Sequence, residues 1–166
     1  MSERNTITRE CLRSILDYDA ETGVFTWRVT KSNRAPAGSI AGVVGVIGYV
    51  VIGVDKRRLL AHRLAFVWMT GELPEEIDHI NGVRSDNRWV NLRPCTRSQN
   101  NANRPPRPSK SGEPGVYKDP RSNSWIAEVC FGGKRVWQRS FKTKELAATA
   151  RRRKHAEIYG EFVRVS

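Results

Sequence analysis

Apolar residues recur at helical spacing at Leu12, Ile15 and Leu16, behind a Thr8 placed to cap a first turn, so the pattern predicts a short helix that Gly23 ends. Val24-Phe25-Thr26-Trp27-Arg28 then reads as a strand. The runs 48–54 and 58–61 flank Asp55-Lys56 and predict the two strands of a hairpin. Helical spacing returns over His62–Met69, with Gly71 and Pro74 to stop it. Further along, strands are predicted at 115–118, 124–131 and 134–141, the last two joined by Gly132-Gly133. Thr143 caps a final helix that runs to Tyr159 ahead of Gly160, with Leu146, Ala147, Ala150 and Ile158 on one face and Lys154 snorkelling among them. The expected class is α+β.

Composition narrows the function. A chain of 166 residues is too short for a large α/β enzyme, and 29 basic against 17 acidic side chains give a net charge of +12. Such a balance points to a polyanionic partner, with nucleic acid first. The charge is uneven: residues 1–103 carry 14 basic and 11 acidic groups, residues 104–166 carry 15 and 6. Between these segments, Arg104-Pro-Pro-Arg-Pro-Ser-Lys-Ser-Gly112 combines stiff prolines with loose serine and glycine. Residues 1–104, 105–112 and 113–166 are therefore expected to be a first domain, a linker and a second domain.

Cys11, Cys95 and Cys130 form no C-x-x-C pair, which excludes a disulfide framework and a cysteine zinc knuckle. The start Met1-Ser2-Glu3-Arg4 has no apolar leader. The run 40–54 is broken by Gly42, Gly45, Gly48 and Gly53 and is too short to span a bilayer. A cytoplasmic protein with no membrane partner is expected.

The candidate chemistry lies in Ile77-Asp78-His79-Ile80-Asn81-Gly82, then Asp86-Asn87-Arg88-Trp89-Val90-Asn91-Leu92-Arg93, then Thr96-Arg97-Ser98-Gln99-Asn100-Asn101. This reads as a strand, a polar loop, a second extended piece and a short helix, with Thr96 and Gln99 at capping-box spacing. A carboxylate beside an imidazole, with a carboxamide brought back by a helix, offers two hard oxygen ligands and one base of near-neutral pKa. Metal-assisted phosphodiester hydrolysis needs those parts. A lone Asp-His pair is more often a solvated turn; here several positions agree at once.

The run resembles the HNH nuclease family, whose ββα-metal fold carries a His at the end of its first strand, an Asn in its second strand and an Asn or His on its helix. These positions fall on His79, Asn91 and Asn100. His62-Arg63-Leu64-Ala65 and Gly23-Val24-Phe25-Thr26-Trp27 are similar to the homing-endonuclease branch of phages and prophages. The resemblance implies that His79 is the general base, that Asp78 and Asn100 hold one Mg²⁺ or Mn²⁺ per site, and that Asn91 braces the loop and helps hold the imidazole. His62 reads as a structural histidine at a helix start. Arg84, Arg88, Arg93 and Arg97 stand as either surface charge or phosphate contacts.

Residues 113–166 resemble the Apetala or ethylene-response-factor DNA-binding domain. The carriers are Gly115-Val116, Trp125-Ile126-Ala127-Glu128-Val129, Arg135-Val136-Trp137, Phe141 and Gly160-Glu161-Phe162. The resemblance implies a three-stranded antiparallel sheet lying in the DNA major groove with a helix behind it. Arg135 and Trp137 would face that groove, and Lys118, Arg121 and Arg139 would supply further charge. Trp125 is expected in the core. Double-stranded DNA is the implied partner, without a small-molecule cofactor, in a bacterial cytoplasm. A non-catalytic DNA-binding regulator on a degenerate nuclease scaffold is the alternative.

Overall fold

A computed structural model describes residues 7–105 and 108–163. The Met1–Arg4 start, linker residues Pro106 and Arg107, and the last residues of the proposed second domain, 164–166, lie outside the described residues. The chain is α+β, with small antiparallel sheets and four α-helices among the described residues. It divides into two compact units, 1–95 and 96–166.

In the first unit, α1 (Arg9–Ile15) is capped by Thr8, whose Oγ1 accepts from the Cys11 N–H. The helix stops sooner than its apolar spacing predicts. Leu16 turns extended, and β1 (Leu16–Tyr18) pairs with β2 (Phe25–Trp27), joining Leu16 to Trp27 and Tyr18 to Phe25. Pairing buries Leu16 and Tyr18, which a longer helix would have turned differently. Gly23 thus belongs to the turn of this hairpin and not to a helix end.

β3 (Val43–Val44), which the sequence pattern did not signal, pairs with β4 (Val50–Val54), and β4 pairs with β5 (Arg57–Leu60). Asp55 and Lys56 both have positive φ, the geometry of a tight two-residue hairpin turn. β5 leads directly into α2 (Ala61–Thr70), which buries Leu64, Ala65, Phe66 and Val67 against Leu12, Leu16, Phe25 and Ile52. Each of the larger side chains, Leu64, Phe66 and Val67, contributes roughly 1.5–3 kcal/mol by leaving water. Gly71, in the left-handed region, ends α2, and Arg9 donates to the last-turn carbonyls of Trp68 and Met69. β6 (Glu76–His79) and β7 (Leu92–Cys95) close the unit as an antiparallel pair with Asp78 opposite Arg93 and His79 opposite Leu92.

The second unit opens with α3 (Arg97–Ala102), where the Thr96/Gln99 capping box forms as predicted. β8 (Val116–Lys118), β9 (Trp125–Phe131) and β10 (Lys134–Phe141) make a sheet in the order β10-β9-β8. α4 (Lys144–Tyr159) packs on it, capped by Thr143. Val116 and Ala127 meet Ala147 and Ala148, with Trp125, Trp137 and Phe141 around them. Leu146, placed by periodicity on the buried face, is instead exposed. The unit begins at Thr96, ahead of the proline-rich stretch, because α3 packs with this unit. Ser98 Oγ accepts from the Gly132 N–H, and α3 contacts the 3-10 turn Gly160–Phe162.

Candidate active site

His79 ends β6, buried, with its Nε2 3.3 Å from Asn87 Oδ1. The Asn87 amide donates from Nδ2 to the Ser85 carbonyl, so its oxygen is the atom presented to the imidazole. Nε2–H therefore donates, and the tautomer places the ring's basic lone pair on Nδ1. Burial pushes the His79 pKa down, offset in part by the Asn87 hydrogen bond and by Asp78 and Asp86. A neutral imidazole at pH 7 follows.

The loop between β6 and β7 is built on asparagines. Asn91 accepts at Oδ1 from the Asn81 N–H and donates from Nδ2 to the Asp86 carbonyl, while the Ile80 N–H donates to the Asn91 carbonyl. Asn91 sits in a 3-10 turn (Trp89–Asn91) just before β7, one residue short of the strand in which the resemblance placed it. Its side chain ties the two ends of the loop together, and Asn87 is hydrogen-bonded to the imidazole. The family resemblance assigns Asn87 no part. An Asn flanked by charges yet destined for burial gives no local signal.

Asn87 is itself held by the β1–β2 hairpin. Tyr18 Oη donates to the Asn87 carbonyl at 2.6 Å and the Trp89 N–H donates to the Ala20 carbonyl at 2.9 Å. Gly23 has φ of +75°, and a Cβ there would stand 2.4 Å from the Arg88 nitrogen. Only glycine lets the two backbones approach this closely.

A second imidazole lies alongside. His62 is buried at the first turn of α2, its ring 5.0 Å from that of His79, and Tyr49 packs on both. Burial first, then the neighbouring His79 and Arg63, lower the His62 pKa to about 3. Its buried Nδ1 has no hydrogen-bond partner.

The remaining predicted residues fall into distinct settings. Asp78 is buried and takes two hydrogen bonds at Oδ2 from Arg93, at 2.9 and 2.7 Å. Arg93 therefore points inward at Asp78, only 12% exposed. Arg88 grips Asp86 through Nε and Nη2, holding the Asp86 carboxyl down at about 2. Arg84 is exposed, donates to the Ile47 carbonyl and lies over Tyr49. Asn100 and the exposed Arg97 stand on α3, in the second unit.

On the three-stranded sheet, Arg135 and Trp137 occupy opposite faces, which corrects their shared outward placement. The register shifts between them, so Arg135 pairs with Cys130 and Trp137 with Val129. Trp137 thereby joins the core beside α4, and Arg139, opposite buried Ala127, lies on that same side. Arg135 stays outward, 3.9 Å from Glu128. Lys118, paired with Trp125, and Arg121 are exposed at the Asp119–Asn123 loop. Trp125 packs on the core as expected.

Among the described residues, no group of three or more His, Cys, Asp and Glu side chains forms a metal cluster. The proposed ligands are instead oxygen donors of one carboxylate and one carboxamide, a set that suits a hard cation retaining water and substrate phosphate as its other ligands. No helix among the described residues is long and apolar enough to cross a membrane.

Residues 59–102, from β5 through α3, match the HNH endonuclease family. The match supports an HNH nuclease and takes in His62, Asp78, His79, Asn87, Asn91 and Asn100 together. No curated protein and no solved structure matches the chain.

Proposed function

We propose that this protein is a metal-dependent DNA endonuclease of the HNH homing type that hydrolyses phosphodiester bonds with His79 as general base. The observation that carries the reading is the buried His79, its tautomer fixed by Asn87, within the stretch that matches the HNH endonuclease family. His79 Nδ1 takes a proton from water, the resulting hydroxide attacks phosphorus, and the bond to the 3′ oxygen breaks, that oxygen leaving with a solvent proton. Asp78 and Asn100 would hold one Mg²⁺ or Mn²⁺, as the resemblance to the ββα-metal nucleases implies. When bound, the ion supplies positive charge to the scissile phosphate and to the leaving oxygen. Asn87 and Asn91 position the base and its loop without touching substrate.

The second unit's sheet and helix would anchor double-stranded DNA in the Apetala manner, with Arg135 outward and Lys118, Arg121 and Arg97 contributing charge, while Arg139, on the α4 side of the sheet, does not face the groove. The proposed division into 1–104, a linker 105–112 and 113–166 follows the charge and proline pattern. A bacterial cytoplasm, in a phage or prophage setting, follows from the homing-type resemblance. One observation favours the non-catalytic regulator: Arg93 already neutralises Asp78. Supercoiled plasmid separates the readings. Nicked or linear product with Mg²⁺, absent in EDTA and absent for His79→Ala, supports the enzyme; intact plasmid under all three conditions overturns it.

A further inference from the structure

Four exposed apolar side chains of the first unit, among them the most exposed, Val46, gather on one hairpin. β3 and β4 are joined by Gly45-Val46-Ile47-Gly48, closed by the Gly48 N–H on the Gly45 carbonyl and the Gly45 N–H on the Tyr49 carbonyl, both at 2.8 Å. The central positions of such turns ordinarily carry residues that water solvates or that relieve the backbone. Here they are Val46 and Ile47, 107% and 65% exposed, with Val43 and Val44 at 69% and 63% just below. Two β-branched side chains turned to solvent at a turn add nothing to the fold, and a local rule broken in this way is expected at a functional surface.

The tip is tied to the candidate active site. Arg84 Nη1 donates to the Ile47 carbonyl at 2.8 Å, and the guanidinium lies 5.1 Å over the Tyr49 ring. Tyr49 in turn packs 5.8 Å from His79. Protruding side chains and proposed base are therefore parts of one braced assembly within the first unit. The cation beside the tip is Arg84, while Lys56, Arg57 and Arg58 are exposed at the opposite end of the same small sheet, where Asp55, the only acid between residues 40 and 60, pairs with Lys31.

An apolar protrusion with an exposed arginine at its base, next to the proposed phosphodiester-cutting site, matches a partner that is anionic outside and apolar within, as a nucleic-acid duplex is. We propose that Val46 and Ile47 form a wedge that enters the minor groove of duplex DNA, parts adjacent base pairs and unwinds the duplex beside the phosphate presented to His79. Arg84 alongside holds a flanking phosphate. Insertion of branched apolar side chains between base steps kinks and unstacks DNA, which turns the backbone out toward a site that would otherwise meet it edge-on. This inference rests on the endonuclease reading.

Linking-number change tests it without knowledge of the recognition sequence. Closed circular plasmid is relaxed by a topoisomerase active in EDTA, in the presence of the His79→Ala protein, and then stripped of protein. The expected product is negatively supercoiled in proportion to bound protein. The His79→Ala protein that also carries Val46→Ser and Ile47→Ser should bind plasmid within about threefold of its parent, since phosphate contacts dominate affinity, yet leave the linking number at the protein-free value. A bound His79→Ala protein that leaves the linking number unchanged overturns the wedge and spares the endonuclease reading. An unwinding that survives the serine substitutions likewise overturns it. Failure to bind plasmid at all overturns the endonuclease reading and the wedge with it. If the serine substitutions abolish binding to phosphatidylglycerol vesicles, or dissociate a dimer in sedimentation, while unwinding persists, the tip belongs to a membrane surface or a second copy and the wedge is refuted.

Discussion

Acid should destabilise the first unit through His62, by an amount the structure fixes. In the unfolded chain this imidazole titrates near its usual 6.5; buried on α2 beside His79, it stays neutral down to about 3. Between those values the unfolded state binds the additional proton, so stability is complete above about pH 6.5 and declines as the pH falls toward 3, by at most about 1.4 kcal/mol per pH unit. Integrated from pH 8 to pH 5, the loss is about 2 kcal/mol. His62→Phe keeps a ring against Tyr49 and cannot be protonated, so it should be about 2 kcal/mol more stable relative to wild type at pH 5 than at pH 8. Urea dependence of hydrogen exchange in α2, at both pH values, reports this unit alone. The His79 imidazole, also lowered, is present in both proteins and cancels in the difference. A difference that stays the same at the two pH values would refute the buried, neutral His62.

Four further outcomes are expected. His79→Ala should abolish plasmid cleavage while filter binding of DNA is retained, because the imidazole moves a proton and adds little to the phosphate grip. Asn87→Ala frees the imidazole to rotate and should lower kcat by roughly 10–100-fold with KM little changed, read in single-turnover cleavage. Arg93→Gln removes the cation that competes at Asp78, so half-maximal cleavage should need less Mg²⁺; an unchanged or increased requirement would argue against Asp78 as a ligand. Gly23→Ala, forced into positive φ and against the Arg88 backbone, should cost at least about 1–3 kcal/mol by urea unfolding and reduce cleavage as well.

Local spacing made the elements of the candidate site readable and left their support hidden. His79 at a strand end, the Thr96/Gln99 box and the Thr8 and Thr143 caps depend on neighbours within a few residues, and all stand where the pattern put them. Asn87 acts through Tyr18 and Gly23, nearly seventy residues away, and no spacing encodes that contact. Leu16-Asp17-Tyr18 did carry a strand signal, apolar-polar-apolar, but the stronger helical spacing before it masked the change of period. The reversal of Trp137 comes from a single unpaired residue, Val136, in β10; alternation counted along the strand cannot reveal a bulge.

The contact between Gly23 and the Asn87–Arg88 backbone bears on portability. The stretch that matches the nuclease family starts at residue 59, yet the surfaces that seat its loop belong to Tyr18, Ala20 and Gly23. Its helix α2 is packed on Leu12, Leu16 and Phe25. A cassette cut at the limits of the match and grafted elsewhere would carry the imidazole without the clamp that aims it. Swaps between relatives should therefore exchange the first hairpin and the motif as one piece, and a homologous replacement of either alone should give a folded but slow enzyme.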